Sequence, residues 1–316
     1  MNKQLIIEIG TNSIKSLKAE YLNGAWQNLT DAVYPVRIGE NLARTGLLDE
    51  KAINRNLDCI AALLTKNSIK NDYETHIIAT ESLRRAANAD EFAKQIKTLF
   101  GIEVEILTGA EEAELSYCAA TSEGLANQEN TAVIDIGGGS TELTIGLGNK
   151  ILSKQSLPIG AVKITEMCFK HDPVTAAELF AAKNYINEFV NQVGVQYPIH
   201  RLIGVGGTLT TLAAISFANA DSVLSGLDNT VLTLEAIQAK IELFLGKTVA
   251  ETEMLPNMPA GRADIILAGS LLLSKLMQQL GFTEITVSAR GVRHGYLFSR
   301  IFNAKDAKDT KTQSGN

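Results

Sequence analysis

The sequence predicts an α/β protein assembled from two halves of like design. Short apolar runs of strand character alternate with longer stretches whose apolar residues recur at helical spacing. The order strand, glycine turn, strand, hairpin, strand occurs twice, once from Leu5 and again from about Thr131. Gly10 and Gly137 fall at matching places in the two runs, which points to an internal duplication.

Taken in order, the first strands are Leu5 to Ile9, Ile14 to Tyr21 and Trp26 to Val36. Asn23-Gly24 suits the positive φ angles of a two-residue hairpin turn between the last two. From Glu50 to Lys66 a helix is expected, because Ile53, Leu57, Ile60, Leu63 and Leu64 share one face. A strand from Thr75 to Ala79, two short helices and a strand from Glu103 to Leu107 follow, and another helix starts near Gly109. The second run opens on Ala132 to Ile136, apolar except for Asp135, and continues with Glu142 to Leu147 and Ile151 to Leu157 around a Gly148-Asn149 turn. Helices are then expected at Ala161 to Cys168, Thr175 to Gln192, Leu209 to Phe217, Thr233 to Leu245 and Ala260 to Leu280. Strands at Arg201 to Val205 and Glu284 to Val287 complete a second sheet, and a last helix covers Gly291 to Ile301. Residues 304–316 are polar and predict a disordered tail. No linker rich in Pro, Gly or Ser parts the halves, so a tight hinge is expected near Gly124 to Asn130.

A length of 316 residues allows two domains with a large core, so no disulfide staple is needed. The three cysteines lack metal-type spacing and read as reduced core residues. Neither a signal peptide nor a membrane-spanning apolar stretch is apparent, so a cytoplasmic protein without membrane contact is expected. A net charge of -6 argues against a general nucleic-acid binder. It leaves room for a local basic cleft that takes a polyanion.

The chemistry gathers around glycine. In Ile134 to Glu142 an apolar strand ends in Gly137, Gly138 and Gly139, then Ser140 and Thr141. Glycines let backbone amides approach an anion closely, and a concavity of amides binds phosphate oxygens. A lone buried carboxylate is expensive, so Asp135 needs a partner or a metal. Asp135 and Glu142, on either side of the loop, suit a hydrated magnesium ion. The loop Gly10, Thr11, Asn12, Ser13 after Glu8 repeats the design in the first half. Two facing phosphate loops would pinch a phosphoryl chain between them. A third element, Gly204 to Thr208, places Gly206, Gly207 and Thr208 at a helix N-terminus, a favourable anion site.

These three elements resemble the actin, sugar-kinase and Hsp70 superfamily. Within it the chain resembles the exopolyphosphatase and guanosine pentaphosphate phosphohydrolase family. The matching segments are Ile9 to Ser13, Thr80 to Arg84, Gly109 to Ala113, Ile134 to Glu142, Leu157 to Val162, Gly204 to Thr208, Arg262 to Asp264 and Arg290 to Arg293, in the family's order over nearly the whole chain. The resemblance implies two actin-like (ribonuclease H-like) domains, 1–124 and 125–303, with mixed five-stranded sheets, an active-site cleft between them, and helix 291–303 packing back toward the first domain. It is the short form, without the further C-terminal domains of longer members.

The resemblance also implies roles. Glu112 matches the general base on the attacking water, while Glu111 stays structural. Arg84 is the family's arginine after the second sheet strand, suited to phosphate oxygens. Arg44, Lys163, Arg262, Arg290 and Arg293 are further candidates for holding the anion. Glu8 stands where the family has aspartate, and the added methylene moves the carboxylate by roughly a bond length. A misplacement of about 1 Å can cost a hundredfold in rate, so Glu8 either holds magnesium differently or leaves it to Asp135 and Glu142. His294, where an acid is common, reads as a helix-surface histidine. The implied reaction is hydrolysis of the terminal phosphoanhydride of polyphosphate, with guanosine pentaphosphate or a general nucleotide as the alternative substrate. A sugar-kinase-like transferase and a non-catalytic polyphosphate or nucleotide sensor are the competing classes. Similar enzymes often pair, so a homodimer is compatible with the resemblance, although no interface is legible.

Overall fold

The computed structural model describes residues 3–65, 72–122, 129–217 and 226–301. The hinge expected at 124–130 and the polar tail lie largely or wholly outside them.

The first sheet contains β1 (Lys3–Ile9), β2 (Ile14–Leu22), β3 (Ala25–Tyr34), β4 (Glu74–Ala79) and β5 (Val104–Ile106), in the order β3-β2-β1-β4-β5. β1, β2 and β3 pair antiparallel, and β4 and β5 run parallel to β1. Asn23 and Gly24 both adopt positive φ, 53° and 82°, as the hairpin required. The second sheet contains β6 (Thr131–Ile136), β7 (Thr141–Leu147), β8 (Lys150–Leu157), β9 (Arg201–Val205), β10 (Val231–Thr233) and β11 (Glu284–Val287), in the order β10-β11-β9-β6-β7-β8. Strands β8, β7, β6, β9 and β11 repeat the first sheet's arrangement and pairing sense. The duplication expected from the sequence is therefore a duplication of topology, and the fold is the expected pair of actin-like halves. β10 makes the second sheet six-stranded rather than five: three residues, Val231 to Thr233, pair antiparallel with β11, too short a run to show a period of two.

On one face of the first sheet, Leu5, Ile7 and Ile9 pack against α2 (Glu50–Thr65) and a helix at Ala89–Phe100 through Ile60, Leu63, Phe92 and Ile96. The opposite face presents Ile6, Leu17 and Ile78. Both faces are covered, which is why the strand reads as a continuous apolar run rather than an alternation. The second sheet buries Ile134, Leu143 and Ile145 under helices at Ala176–Val190, Leu234–Leu245 and Ile266–Leu280. That last helix begins six residues later than the sequence suggested. Gly261 at φ +68° and Asn257 at φ 59° keep the preceding segment out of the helix, and the loop so formed carries Arg262.

Two helices tie the sheets together. We name Gly109–Thr121 α5 and Val292–Gly295, which continues as the π-helical turns Tyr296–Ile301, α12. α5 gives Leu115 to the first sheet's inner face and Tyr117 and Ala120 to the second sheet's Val133, Ile203 and Val205. α12 gives Val292, Tyr296 and Leu297 to the first sheet. The two helices cross at Gly295, where a Cβ would lie 2.0 Å from the Leu115 carbonyl oxygen. No described helix is long and apolar enough to cross a membrane.

Candidate active site

The two glycine turns have the same internal geometry. The Gly10 amide donates to Ser13 O at 3.0 Å, and the Gly137 amide to Ser140 O at 3.0 Å. Cross-strand register then fixes what stands beside each turn. Asp135 faces Glu142 across β6 and β7, and Glu8 faces Lys15 across β1 and β2. The second half thus pairs two carboxylates where the first pairs a carboxylate with an ammonium. Lys15 is a site residue the sequence reading missed, although laying one repeat over the other places it opposite Glu142.

The turns face each other at close range. A Cβ on Gly138 would lie 2.9 Å from the Cβ of Thr11, and one on Gly139 would lie 1.8 Å from Glu81 Oε2. A side chain on Gly138 would press on Thr11, and one on Gly139 would displace the Glu81 carboxylate. Glu81, which the sequence reading matched within Thr80 to Arg84 but gave no role, accepts from the Thr11 hydroxyl at 3.3 Å and from Arg85 at 3.2 Å. Gly206 closes the floor with φ +95°, its missing Cβ leaving room for Asp135 Oδ1 at 2.7 Å. Gly207 starts the helix Gly207–Ala214, and the Arg262 guanidinium lies across it. Among the expected residues, Gly10 to Ser13, Gly137 to Ser140, Gly206, Gly207, Glu8, Glu112 and Asp135 line one cleft, together with Arg262.

Thr141 and Thr208 are turned away from it. The Thr141 hydroxyl donates to Ile159 O at 2.7 Å, and Thr208 packs against Gly269, where a Cβ would meet its Oγ1 at 2.3 Å. They shape the loops and do not face an anion. Arg84 Nη1 donates to Leu107 O and to Glu112 Oε2, both at 2.7 Å, so its partner is the base rather than a phosphate oxygen. Of the other cations, Arg44 bonds Asn41, Lys163 bonds Pro158 O, and Arg290 bonds Ser122, all away from the cleft lining. Arg293 reaches Asp31 at 2.5 Å and Glu8 Oε2 at 3.7 Å. His294 is buried, not on the surface, with Nε2 at 3.1 Å from Asp31. The neighbours on β3 that cover it are invisible to helix periodicity. Glu111 is structural: it forms a capping box with Thr108 at the start of α5.

Electrostatics separates the carboxyls. Burial pushes Glu112 up to about 7, against the pull of Arg84 and with repulsion from Asp135. Burial, Glu112 and Asp135 hold Glu142 well above the ordinary range. Asp135 is raised by burial, with Lys15 and the Ser116 hydroxyl opposing. Glu8 goes the other way: burial is outweighed by Lys15, at 2.7 Å, and Arg293, so its carboxyl is held low. Among the described residues no three His, Cys, Asp or Glu side chains form a preformed metal cage. Glu142 Oε2 is nevertheless buried without a hydrogen-bond partner, while Oε1 accepts from Ser156 at 2.8 Å. A hard cation beside Asp135 and Glu142 would satisfy that oxygen; Glu8 Oε2 is likewise without a hydrogen-bond partner, but Glu8 Oε1 is paired with the Lys15 ammonium at 2.7 Å.

The halves meet on the other side of the first loop as well. Arg37 forms a bidentate pair with Asp264, both contacts 2.8 Å, Asn12 Nδ2 donates to Gly261 O at 3.1 Å, and Glu166 accepts the Asn41 amide at 2.7 Å. The cleft between the loops is narrow, with about 40 Å³ of free volume.

Facing amide loops bind tetrahedral anions, and a carboxyl that exchanges its proton near neutrality is fit to activate water. Such a pairing defines a phosphate-releasing hydrolase of the actin-like class. The chain belongs to the Ppx/GppA phosphatase family, whose pattern matches residues 19–304. It is 28% identical to exopolyphosphatase 2 of Mycobacterium tuberculosis, over 93% of this chain and 97% of that protein. It is likewise 28% identical to a guanosine-5'-triphosphate,3'-diphosphate pyrophosphatase of Pseudoalteromonas translucida, of which it spans 59%. A crystal structure of an exopolyphosphatase from Cytophaga hutchinsonii superposes with a TM-score of 0.85 at 25% identity, over 95% of this chain and 98% of that one.

Proposed function

We propose that the protein is an exopolyphosphatase that hydrolyses the terminal phosphoanhydride of inorganic polyphosphate. The observation that carries this is Glu112, a buried carboxyl raised to about 7 that lines the same narrow cleft as the two glycine loops. The amides of Thr11 to Ser13 and of Gly138 to Ser140 hold the terminal phosphoryl oxygens. Arg262, whose guanidinium has no acceptor among the described residues, neutralises charge from the floor. Glu112, oriented by Arg84, takes a proton from the attacking water, and the shortened chain departs. Phosphoryl transfer of this kind is positioning plus charge neutralisation. Asp135 and Glu142 would hold a magnesium ion, which when bound would supply charge neutralisation at the phosphoryl oxygens. Magnesium keeps waters and takes one or two carboxylates plus substrate phosphates, which is consistent with a carboxylate pair and no closed cage. Glu8 belongs to Lys15 and does not join them.

Phosphate release from long-chain polyphosphate with magnesium tests the proposal, with guanosine pentaphosphate and ATP in parallel and Glu112→Ala as control. Release from polyphosphate that vanishes in the control is the expected result. Preference for guanosine pentaphosphate would reassign the substrate. Binding without turnover on all three would overturn the enzyme.

A further inference from the structure

The acids at the two matching strand ends are each held by a helix from the opposite half, but by different chemistry. On Glu8, Arg293 of α12 lies at 3.7 Å and Lys15 adds an ammonium at 2.7 Å. On Asp135, α5 supplies Ser116, whose hydroxyl donates to Oδ2 at 2.5 Å. A direct ammonium contact offsets the charge of Glu8, whereas Asp135 has no cation in direct contact among the described residues. A hydroxyl fixes a carboxylate and leaves its charge for something else. Ser116 is 1% exposed and stands one helical turn beyond Glu112, on the same face of α5. Oδ1, the other oxygen of Asp135, lies against Gly206 at the cleft floor.

We propose that Ser116 is a positioning residue for the reaction: it engages one oxygen of Asp135, leaves the other for a divalent cation, and through α5 fixes the spacing between that cation's ligand and Glu112. This rests on the reading of Asp135 as a cation ligand. The readout is binding of Mn²⁺, counted by the loss of its free-ion resonance signal, to the full chain with inorganic phosphate present. Outer partners of metal ligands are worth about 10- to 100-fold in metal affinity, so Ser116→Ala is expected to weaken Mn²⁺ by that factor. At saturating metal its kcat falls while KM for polyphosphate holds. Ser116→Thr keeps the hydroxyl and restores both. Wild-type affinity in Ser116→Ala, or a threonine variant as weak as the alanine one, overturns the proposal while Asp135→Asn still abolishes binding. Absence of Mn²⁺ binding in the wild type, unchanged by Asp135→Asn, removes the cation reading itself and the proposal with it.

Discussion

Glu112 is made basic by its surroundings, and the same surroundings destabilise it. Its folded pKa, about 7, is raised above the ordinary carboxyl value of 4.5 by burial and by Asp135. The stability linked to it is present below about pH 4.5 and lost as pH rises through 7. Rate runs opposite, because the base works only when ionised. Turnover is therefore expected to climb with pH to a plateau above about 7. Glu112→Gln should lose about 10²- to 10⁴-fold in rate, lose the pH-dependent limb, and melt higher than wild type above neutrality. Initial rates and melting temperatures across about four pH units centred on the Glu112 value check all three. A mutant that kept the limb would move the base elsewhere. Of the site, the glycine loops, Asp135 and Glu142 were legible in the sequence, because loop chemistry is local, while Glu112 was reached only through the family resemblance. Lys15, Glu81 and Ser116 were not, since each owes its place to a strand register or to a helix from another part of the chain.

At the scale of elements, the phosphate loops work only if they touch. Gly139→Ala would put a Cβ 1.8 Å from Glu81 Oε2. The Glu81 carboxylate is a side-chain end that can move aside without repacking the core, so near wild-type melting is expected with a loss in kcat of about 100-fold, the scale of a 1 Å misplacement. Steady-state kinetics beside a thermal melt decides it, and full activity would mean the loops separate during turnover. Element types were readable because both sheets carry continuous apolar strands between Gly-rich turns. The start of the helix at Ile266 was not. Its approach is apolar enough to look helical, and only the positive φ at Asn257 and Gly261 excludes it. The short strand β10 escaped for want of length.

At the scale of the whole molecule the cleft between the halves is narrow, about 40 Å³, and the proposed reaction predicts that the halves part to admit substrate. The Arg37–Asp264 pair, the Asn12–Gly261 bond and the Glu166–Asn41 bond lie on the opening side, while α5 and α12 cross on the other. Joining Arg37→Cys to Asp264→Cys with a short bifunctional maleimide is expected to abolish turnover and leave the circular dichroism spectrum unchanged, with cleavage of the link restoring activity. Turnover in the linked protein would show that substrate threads in without domain opening. Domain closure of this hinge type commonly gates enzymes of two halves.

The crossing helices also set an order of assembly. Ribosomes deliver the amino-terminal part first, and α5 is complete before any strand of the second sheet exists. Its Tyr117 and Ala120 stay uncovered until Val133, Ile203 and Val205 have been made. The nascent first half therefore waits, with an apolar stripe in water, for a surface encoded far downstream, and α12, made last, closes the first sheet behind it. A chain interrupted anywhere before Val292 leaves the first sheet with an open face, so the two repeats, for all their likeness, are not separable products.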